Sequence, residues 1–550
     1  ISLMMNKDRQ DARLKNFKNG IDAEEGRRRR EETQLSIRKQ KKNDRLSKRR
    51  FEIPVSEPTE IQSVESGKVV MSVNELPALM SVIRNITGPA EKLAEATRHI
   101  RRMLSVSVNP PVQEVIDAGA LPYLVQLLMR TDDFSLQFEA LWSLTNVAST
   151  NYTSYVADQP NAIHNMVCLL KSPCAEVREQ SAWCLGNIAG DGPAYRDKLL
   201  EHGCMEPLIL NVEQPANDSL LGNMTWTISN LCRGKPHPKL ELVKYAIPAL
   251  VSIVMNSTKN SIIIDALWAI SYISDGEDER IDAILKTNSG ISARLVQLVS
   301  SGDCALMAPA VRILGNFASG NEEQTQSVID AGLLNIALNV LNSGKKNLRK
   351  EMCWLLSNIA AGTPKQIASL MNTKHLSETL ITLAVDADWD SRKEAIWAVS
   401  NTITGGSDHI VSIVVNQNGI EAMVSVLNVS GETKMILVAL DTIQHILTVG
   451  EKNNYRYDVT FDECGGIEKL EDLQSHSDQA VYEKVVELIE KFFGEEENGE
   501  DENLAPAYDD NAFSFGIASP PPAKVLFESP QPMATTSFGA INNHQFAFGR

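Results

Sequence analysis

Aromatic residues and long apolar runs are scarce in this chain. Only 6% of the 550 residues are aromatic, whereas 43% are hydrophobic and 22% charged, which is typical of a soluble protein built from packed helices. No stretch of eighteen apolar residues occurs, so the sequence predicts no membrane insertion. The first five residues, Ile1 to Met5, are followed by charges, so we expect no signal peptide.

Cysteines and catalytic motifs are also sparse. The eight cysteines are scattered and none forms a Cys-x-x-Cys pair, which favours buried, reduced thiols in an intracellular protein. The nine histidines show no metal-binding spacing, and the sequence has no Gly-rich phosphate loop, Gly-x-Ser-x-Gly or His-Glu-x-x-His motif. The sequence therefore predicts neither an enzyme nor a bound cofactor or metal.

Charge is divided unevenly along the chain. The net charge is −17, yet residues 1–55 hold 17 Lys and Arg against 9 Asp and Glu, a balance of +8. The remaining residues hold 36 basic and 61 acidic side chains, a balance of −25. A basic arm attracts either its own acidic body or a third partner, and the attraction weakens with salt. From charge alone, the arm is either a solvated, disordered run or a segment that binds a partner or nucleic acid.

A Trp and an Asn four residues apart recur through the middle of the chain. The first positions of the copies are separated by 41 to 44 residues, and this fixed period predicts a helical solenoid of the armadillo or HEAT type. The complete pairs are Trp142/Asn146, Trp183/Asn187, Trp226/Asn230, Trp354/Asn358 and Trp397/Asn401, and degenerate copies are Trp268/Tyr272 and Arg312/Asn316.

The period extends in both directions and predicts an all-α repeat domain of about ten units. Its ends near Ile100 and His445 lack the pair, as end repeats of a solenoid often do. A second register of glycines predicts a left-handed residue between a short helix and a longer apolar one, at Gly119, Gly203, Gly290, Gly332 and Gly419. We therefore divide the chain into a basic arm (1–52), a linker (53–72), a repeat domain (73–493) and a disordered, acidic tail (494–550) with Pro and Phe-Gly dipeptides.

The Trp/Asn pairs favour a peptide-binding groove over a simple core. A Trp on an amphipathic helix is commonly a core residue, but a buried Asn at the same face of five helices needs a hydrogen-bond partner. In a groove, Asn would bind the backbone of an extended peptide, and parallel indoles would hold long cationic side chains. Acids recur beside the pairs, at Asp191, Asp265, Asp275, Glu351 and Glu394, so we expect a ligand rich in Lys and Arg.

The pattern divides the groove into two stretches. The irregular copies at Tyr272 and Arg312 separate the units of Trp142, Trp183 and Trp226 from those of Trp354 and Trp397. Two linked basic clusters would gain from both stretches through effective concentration. Lys48, Arg49 and Arg50 of the arm resemble such a ligand, and the linker would let them compete within the molecule.

These motifs resemble the importin-alpha (karyopherin-alpha) family of nuclear import adaptors, over roughly residues 7–493. The segments Arg13–Asn19 and Asp22–Arg50 are similar to the family's importin-beta-binding domain. Arg178–Gly192, Asp265–Gly276 and Lys393–Asn401 are similar to its repeat signatures.

The resemblance implies a right-handed armadillo superhelix with two sites for nuclear localisation signals and a signal-like arm. The major site would use Trp142, Asn146, Ser149, Trp183, Asn187, Asp191, Trp226, Asn230 and Asp265, with Asp191 meeting the key Lys. The minor site would use Asn316, Glu351, Trp354, Asn358, Glu394, Trp397 and Asn401. Importin-beta would bind Arg13, Lys18, Arg27, Arg28, Arg29, Arg30, Arg38, Lys39 and Lys41, while Lys48, Arg49 and Arg50 would inhibit the groove.

The resemblance also implies partners and a location. These are importin-beta, cargo proteins with basic signals, an export receptor acting with Ran, and nuclear pore components. The protein would shuttle between cytoplasm and nucleus, with no direct nucleic-acid binding.

The charge distribution argues against two other functions. An armadillo scaffold of the catenin type would bind an acidic or phosphorylated segment, but its groove would be basic, and this body is acidic. A nucleic-acid binder using the arm would need a basic body or stacking aromatics near the arm, and the sequence has neither.

Overall fold

The computed structural model describes residues 73–106 and 109–494, together with two short strands near the C-terminus. The predicted arm (1–52) and linker (53–72), and with them every predicted importin-beta-binding and autoinhibitory residue, lie outside the described residues. The tail prediction lies outside them too, apart from Gly494 and the strands.

The described repeat domain is a row of helices that falls into ten units. The first unit has two helices and each later unit has three, of which the last is usually the longest. The helices are α1 Leu76–Ile83 and α2 Ala90–Leu104; α3 Val112–Asp117, α4 Ala120–Leu127 and α5 Phe134–Ala148; α6 Thr153–Ala157, α7 Ala162–Leu169 and α8 Ala175–Gly190; α9 Pro193–Glu201, α10 Met205–Glu213 and α11 Asp218–Cys232; α12 Leu240–Val243, α13 Ile247–Asn256 and α14 Asn260–Ile273. They continue as α15 Asp278–Leu285, α16 Ile291–Val299 and α17 Cys304–Ala318; α18 Glu322–Asp330, α19 Leu333–Leu341 and α20 Lys346–Ala360; α21 Pro364–Met371, α22 Leu376–Asp386 and α23 Trp389–Gly405; α24 Asp408–Asn416, α25 Gly419–Val424 and α26 Thr433–Asn453; α27 Tyr457–Glu463, α28 Gly466–Leu473 and α29 Gln479–Phe492. Short 3-10 turns cover Val73–Glu75 and Lys244–Ala246.

The last helices of successive units pack on one another in an unbroken row from α2 to α29. Their buried residues are mostly Leu, Ile, Val, Ala and Met, so the apolar face of each unit is covered by its neighbours. No single unit could bury that face alone, which is why the fold depends on stacking. In the part of the chain that the structure describes, no helix is long and apolar enough to cross a membrane.

Helix boundaries follow from local side-chain chemistry. Asp133 begins α5 by accepting hydrogen bonds from the backbone N–H groups of Ser135 and Leu136. Capping boxes begin α18 (Asn321 with Gln324) and α21 (Thr363 with Gln366). Each cap satisfies donors that a helix start would otherwise leave unpaired.

The glycine register is correct at three of its five positions. Gly119, Gly203 and Gly332 have φ of 74°, 72° and 84°. Gly290 is right-handed instead (φ −85°), and its N–H donates to Asn288 Oδ1. At the last position the left-handed residue is Asn418 (φ 68°), since Asn tolerates this conformation better than other residues with a Cβ.

The cysteine prediction is only partly correct. Cys184, Cys204, Cys232 and Cys353 are buried, and burial raises the pKa of the first three thiols to about 12. Cys168 and Cys304 are exposed, because Cys168 lies off the buried face of α7 and Cys304 is the first residue of α17.

Near the C-terminus, β1 (Ala507–Asp509) and β2 (Ala512–Ser514) pair antiparallel, with Tyr508 opposite Phe513. This short hairpin was not anticipated in the tail.

Candidate peptide-binding groove

The third helices carry every Trp/Asn pair in the same register. The indoles of Trp142, Trp183, Trp226 and Trp397 are half-buried, and Trp354 is 9% exposed. We call the Trp and Asn positions of one third helix a rung. Because each rung helix packs on the next, the rungs follow one another along the repeat domain.

The rung asparagines join neighbouring units through one repeated hydrogen bond. In five rungs, the carboxamide nitrogen donates to the backbone carbonyl of the residue that precedes the rung Asn or Tyr position in the previous unit. The donor–acceptor distances are 3.2 Å for Asn187 to Thr145 O, 3.0 Å for Asn230 to Gly186 O, 3.0 Å for Asn316 to Ser271 O, 3.1 Å for Asn358 to Gly315 O and 2.9 Å for Asn401 to Ser357 O. In the first rung, Asn146 donates to Ser105 Oγ at 3.0 Å.

This bond was missed by the sequence reasoning. A buried Asn needs a hydrogen-bond partner, and from the sequence a bound peptide was the expected partner. In the structure the fold itself supplies it. The nitrogen is engaged internally, whereas Oδ1 of Asn146 and of Asn401 accepts no hydrogen bond within the described chain. The carboxamides are thus held in fixed orientations, which would lower the entropy cost of binding a peptide.

A glycine just before the rung Asn makes room for the indole of the following unit at two positions. A Cβ added at Gly186 would lie 2.3 Å from Trp226 Cζ3, and one at Gly315 would lie 2.1 Å from Trp354 Cζ3. The indoles of Trp226 and Trp354 therefore rest on the bare backbone of the preceding rung helix. This contact sets how deeply those two rings sit.

The residues just after a rung lie at the C-terminal end of its helix. Asp191 is the exposed C-cap residue of α8, one turn beyond Asn187, and Ser149 holds the same position after α5. The last carbonyls of a helix carry partial negative charge, which adds to the Asp191 carboxylate. The end of α8 is therefore a favourable position for an ammonium group.

A cavity of about 440 Å³ opens between two rungs of the first stretch. Trp183 and Trp226 line it together with Asp265, so the structure brings these three predicted residues to one place. Asp218 and Lys259 lie at the same cavity and form an ion pair at 3.1 Å.

The interruption between the stretches has its own structure. Trp268 and Tyr272 stack on each other with ring centroids 6.0 Å apart. Arg312 occupies the next Trp position and forms a two-point ion pair with Glu351, at 2.8 and 2.6 Å. Burial by itself would lower the pKa of the Arg312 guanidinium, but the Glu351 carboxylate more than compensates, and the pKa is raised. Glu351, predicted as a signal-binding acid, is thus engaged by a cation of the chain itself.

The second stretch consists of the adjoining helices α20 and α23. They carry Trp354 and Trp397, and Glu394 is half-buried one turn before Trp397. Trp389, at the start of α23, was not singled out from the sequence. Its Nε1 donates to Glu432 Oε1 at 3.0 Å, and Lys393 pairs with the same carboxylate, which joins α23 to the next unit.

The far end of the row departs from the pattern. His445 takes the Asn position on α26, and the Ser400 and Thr442 hydroxyls are hydrogen-bonded at 2.7 Å between α23 and α26. His445 has no carboxamide, and a hydroxyl pair joins the two helices at this step.

Comparisons with known proteins place this architecture among the armadillo-repeat proteins. The armadillo/beta-catenin-like repeat model matches residues 109–149, 235–275 and 321–361, an atypical armadillo repeat matches 456–507, and a HEAT-like repeat matches 134–188. A crystal structure of an engineered protein superposes with a TM-score of 0.66 at 25% identity, covering 75% of this chain and 98% of that one. The predicted all-α armadillo solenoid of about ten repeats is therefore confirmed.

Full-length similarity is to importin subunits alpha. The chain is 38% identical to importin subunit alpha-1b of Oryza sativa subsp. japonica over 529 residues, covering 93% of this chain and 97% of the relative. It is 37% identical to importin subunit alpha-3 of Arabidopsis thaliana, covering 94% and 98%. The importin beta binding domain model matches residues 13–97. The chain belongs to the importin-alpha family, whose members are nuclear import adaptors and not enzymes.

Proposed function

We propose that this chain carries proteins with Lys/Arg-rich nuclear localisation signals into the nucleus by binding those signals along its rungs. The observation that carries the proposal is the row of Trp/Asn rungs in one register, flanked by acids on a body of charge −25. A peptide laid along the rungs would meet fixed carboxamides for its backbone and indole faces for its cations.

The two stretches would serve as a major and a minor site. In the major site Asp191 would receive the key Lys at the end of α8, and the cavity of Trp183, Trp226 and Asp265 would hold a neighbouring long side chain. In the minor site Trp354, Trp397 and Glu394 would act in the same way. A signal with two basic clusters would occupy both sites, and the second binding step would be intramolecular.

The arm (1–52) would bind importin-beta when cargo is held. Its match to the importin beta binding domain model supports this role. Without cargo and importin-beta, Lys48, Arg49 and Arg50 would occupy the groove, with residues 53–72 as the linker. An export receptor with Ran would return the protein to the cytoplasm, and pore components would contact it in transit, so it would shuttle between the two compartments.

Charge reversal at the end of α8 tests the groove. The variant Asp191→Lys replaces an attraction with a repulsion, so the affinity for a fluorescein-labelled peptide with a run of Lys and Arg should fall by about 100-fold. Fluorescence anisotropy titration of the full chain measures it.

The matched control is Asp117→Lys, the same charge change at an exposed position of α3. Unchanged affinity in the Asp191 variant, or an equal loss of affinity in both variants, would contradict the major-site assignment. Preferential binding of an acidic peptide by the unmodified chain would instead favour the catenin-type alternative.

A further inference from the structure

An arginine precedes the first stretch of rungs at the position where a Trp would stand. Arg101 lies 41 residues before Trp142, and Ser105 lies 41 residues before Asn146. The hydrogen bond from Asn146 Nδ2 to Ser105 Oγ shows that α2 continues the row of rungs. Arg101 therefore fills the Trp position of the first unit.

The Arg101 side chain is held firmly at this position. It is 5% exposed, its Nε donates to Glu139 Oε2 at 2.8 Å, and its guanidinium carbon lies 4.1 Å from the ring centroid of Trp142. Arg98 Nε donates to the other Glu139 oxygen at 3.0 Å. Glu139 is itself 5% exposed, so two guanidinium groups share one buried carboxylate.

The same arrangement occurs before the second stretch. Arg312 also stands at a Trp position, and its partner Glu351 lies three residues before Trp354, just as Glu139 lies three residues before Trp142. Each uninterrupted run of Trp rungs thus begins after an arginine that is bound by the next rung helix. Because the pairing recurs at both places, it is a feature of how a stretch begins and not an accident of one contact.

We propose that Arg101 is a specificity residue that bounds the first signal-binding stretch at its first rung and selects against Lys or Arg at the adjoining peptide position. One face of the Trp142 indole already holds a guanidinium, so a peptide cation cannot use that face. A cation placed beside it meets like charge, whereas a Glu or Asp side chain of the peptide meets opposite charge. This inference rests on the proposed function, because it concerns a peptide that lies along the rungs.

Four peptides test the inference with the full-length protein. Each has the same Lys/Arg core with both termini blocked, and carries one extra Glu or one extra Lys at either its N-terminal or its C-terminal end. The acidic body favours the extra Lys to a similar degree at both ends. For each end we therefore divide the affinity of the Glu peptide by that of the Lys peptide, and we compare the two ratios. The Glu-to-Lys affinity ratio at one end of the peptide should be about fivefold higher than the ratio at the other end.

Three variants assign the effect to Arg101. In Arg101→Gln the difference between the ends should fall below about twofold, whereas Arg101→Lys keeps the charge and should keep most of the difference. Arg84→Gln removes the same charge from an exposed position of the same unit and should behave as the unmodified protein. Thermal unfolding of each variant shows whether the repeat domain is intact.

The outcomes separate this inference from the proposed function. No binding of any peptide by the unmodified chain overturns the proposed function. Binding with the same Glu-to-Lys ratio at both ends overturns the role of Arg101 while leaving the groove in place, and this result needs no variant. A difference between the ends that survives Arg101→Gln overturns it as well.

Discussion

At the scale of single residues, the rung asparagines hold neighbouring units together. Each donates at least one hydrogen bond to the preceding unit, and most are buried. The sequence indicated that carboxamides recur beside indoles, and it correctly required a partner for them. It could not identify the partner, because a backbone carbonyl about one period away has no signature in residue type.

Asn316 offers the clearest test of this structural role. Its Nδ2 donates both to Ser271 O at 3.0 Å and to Ser274 Oγ at 2.9 Å, and both acceptors are buried. Asn316→Ala leaves them without this donor, so the free energy of unfolding should fall by about 2 kcal/mol. Urea unfolding followed by far-UV circular dichroism measures the change. Asn339→Ala, on an exposed position of α19, is the control, and an equal effect of the two substitutions would contradict the role given to Asn316.

At the scale of helices, the spacing between rungs depends on the close approach of an indole to a neighbouring helix. The 42-residue period predicted that third helices stack, and they do. The depth of each Trp depends on the small residue before the Asn of the previous rung, and this was recognised only from the packed helices. Likewise, Glu351 and Glu394 both stand three residues before a rung Trp in the sequence, yet Glu351 is bound by Arg312 of the preceding unit. Glu139, which was not singled out from the sequence, is bound by Arg101 in the same way.

Gly186→Ala tests this helix-to-helix contact. Its Cβ would lie 2.3 Å from Trp226 Cζ3, so the ring must move and the cavity of Trp183, Trp226 and Asp265 must change shape. We expect an affinity for the basic peptide about tenfold weaker and a destabilisation of about 1–3 kcal/mol. Gly190→Ala lies in the same helix, but its Cβ would meet nothing closer than 3.5 Å, so both quantities should stay near those of the unmodified protein. Titration and urea unfolding of the two variants give the comparison, and tight peptide binding by Gly186→Ala would show that ring depth does not matter.

At the scale of the whole molecule, the charge division suggests competition between arm and cargo. Residues 1–55 carry +8 and the rest −25, so an arm that occupies the groove would be held largely by electrostatic attraction. Replacing Lys48, Arg49 and Arg50 together by Ala in the full chain removes the part that resembles a signal. The affinity for the basic peptide should then rise by about tenfold at low salt, because the intramolecular competitor is lost.

Salt separates this competition from a change in the groove itself. Screening weakens the arm contact as well as the peptide contact, so the advantage of the triple variant should shrink between about 0.05 and 0.5 M salt. The control is a variant with Ala at Arg27, Arg28 and Arg29, which removes the same charge elsewhere in the arm. Equal peptide affinities for the triple variant and the unmodified chain at low salt would remove the autoinhibition proposal.

The sequence by itself determined the repeat architecture, the register of the rungs and the acidic charge of the body that carries them. These features follow from periodicity and charge, which are local properties that every copy of the repeat displays. Only the tertiary structure decided which polar groups are satisfied within the fold, which acids are already paired, and that a guanidinium covers Trp142 at the start of the first stretch. The physical reason is that each of these contacts joins residues about 40 positions apart, on helices whose relative placement is fixed only when neighbouring units pack together.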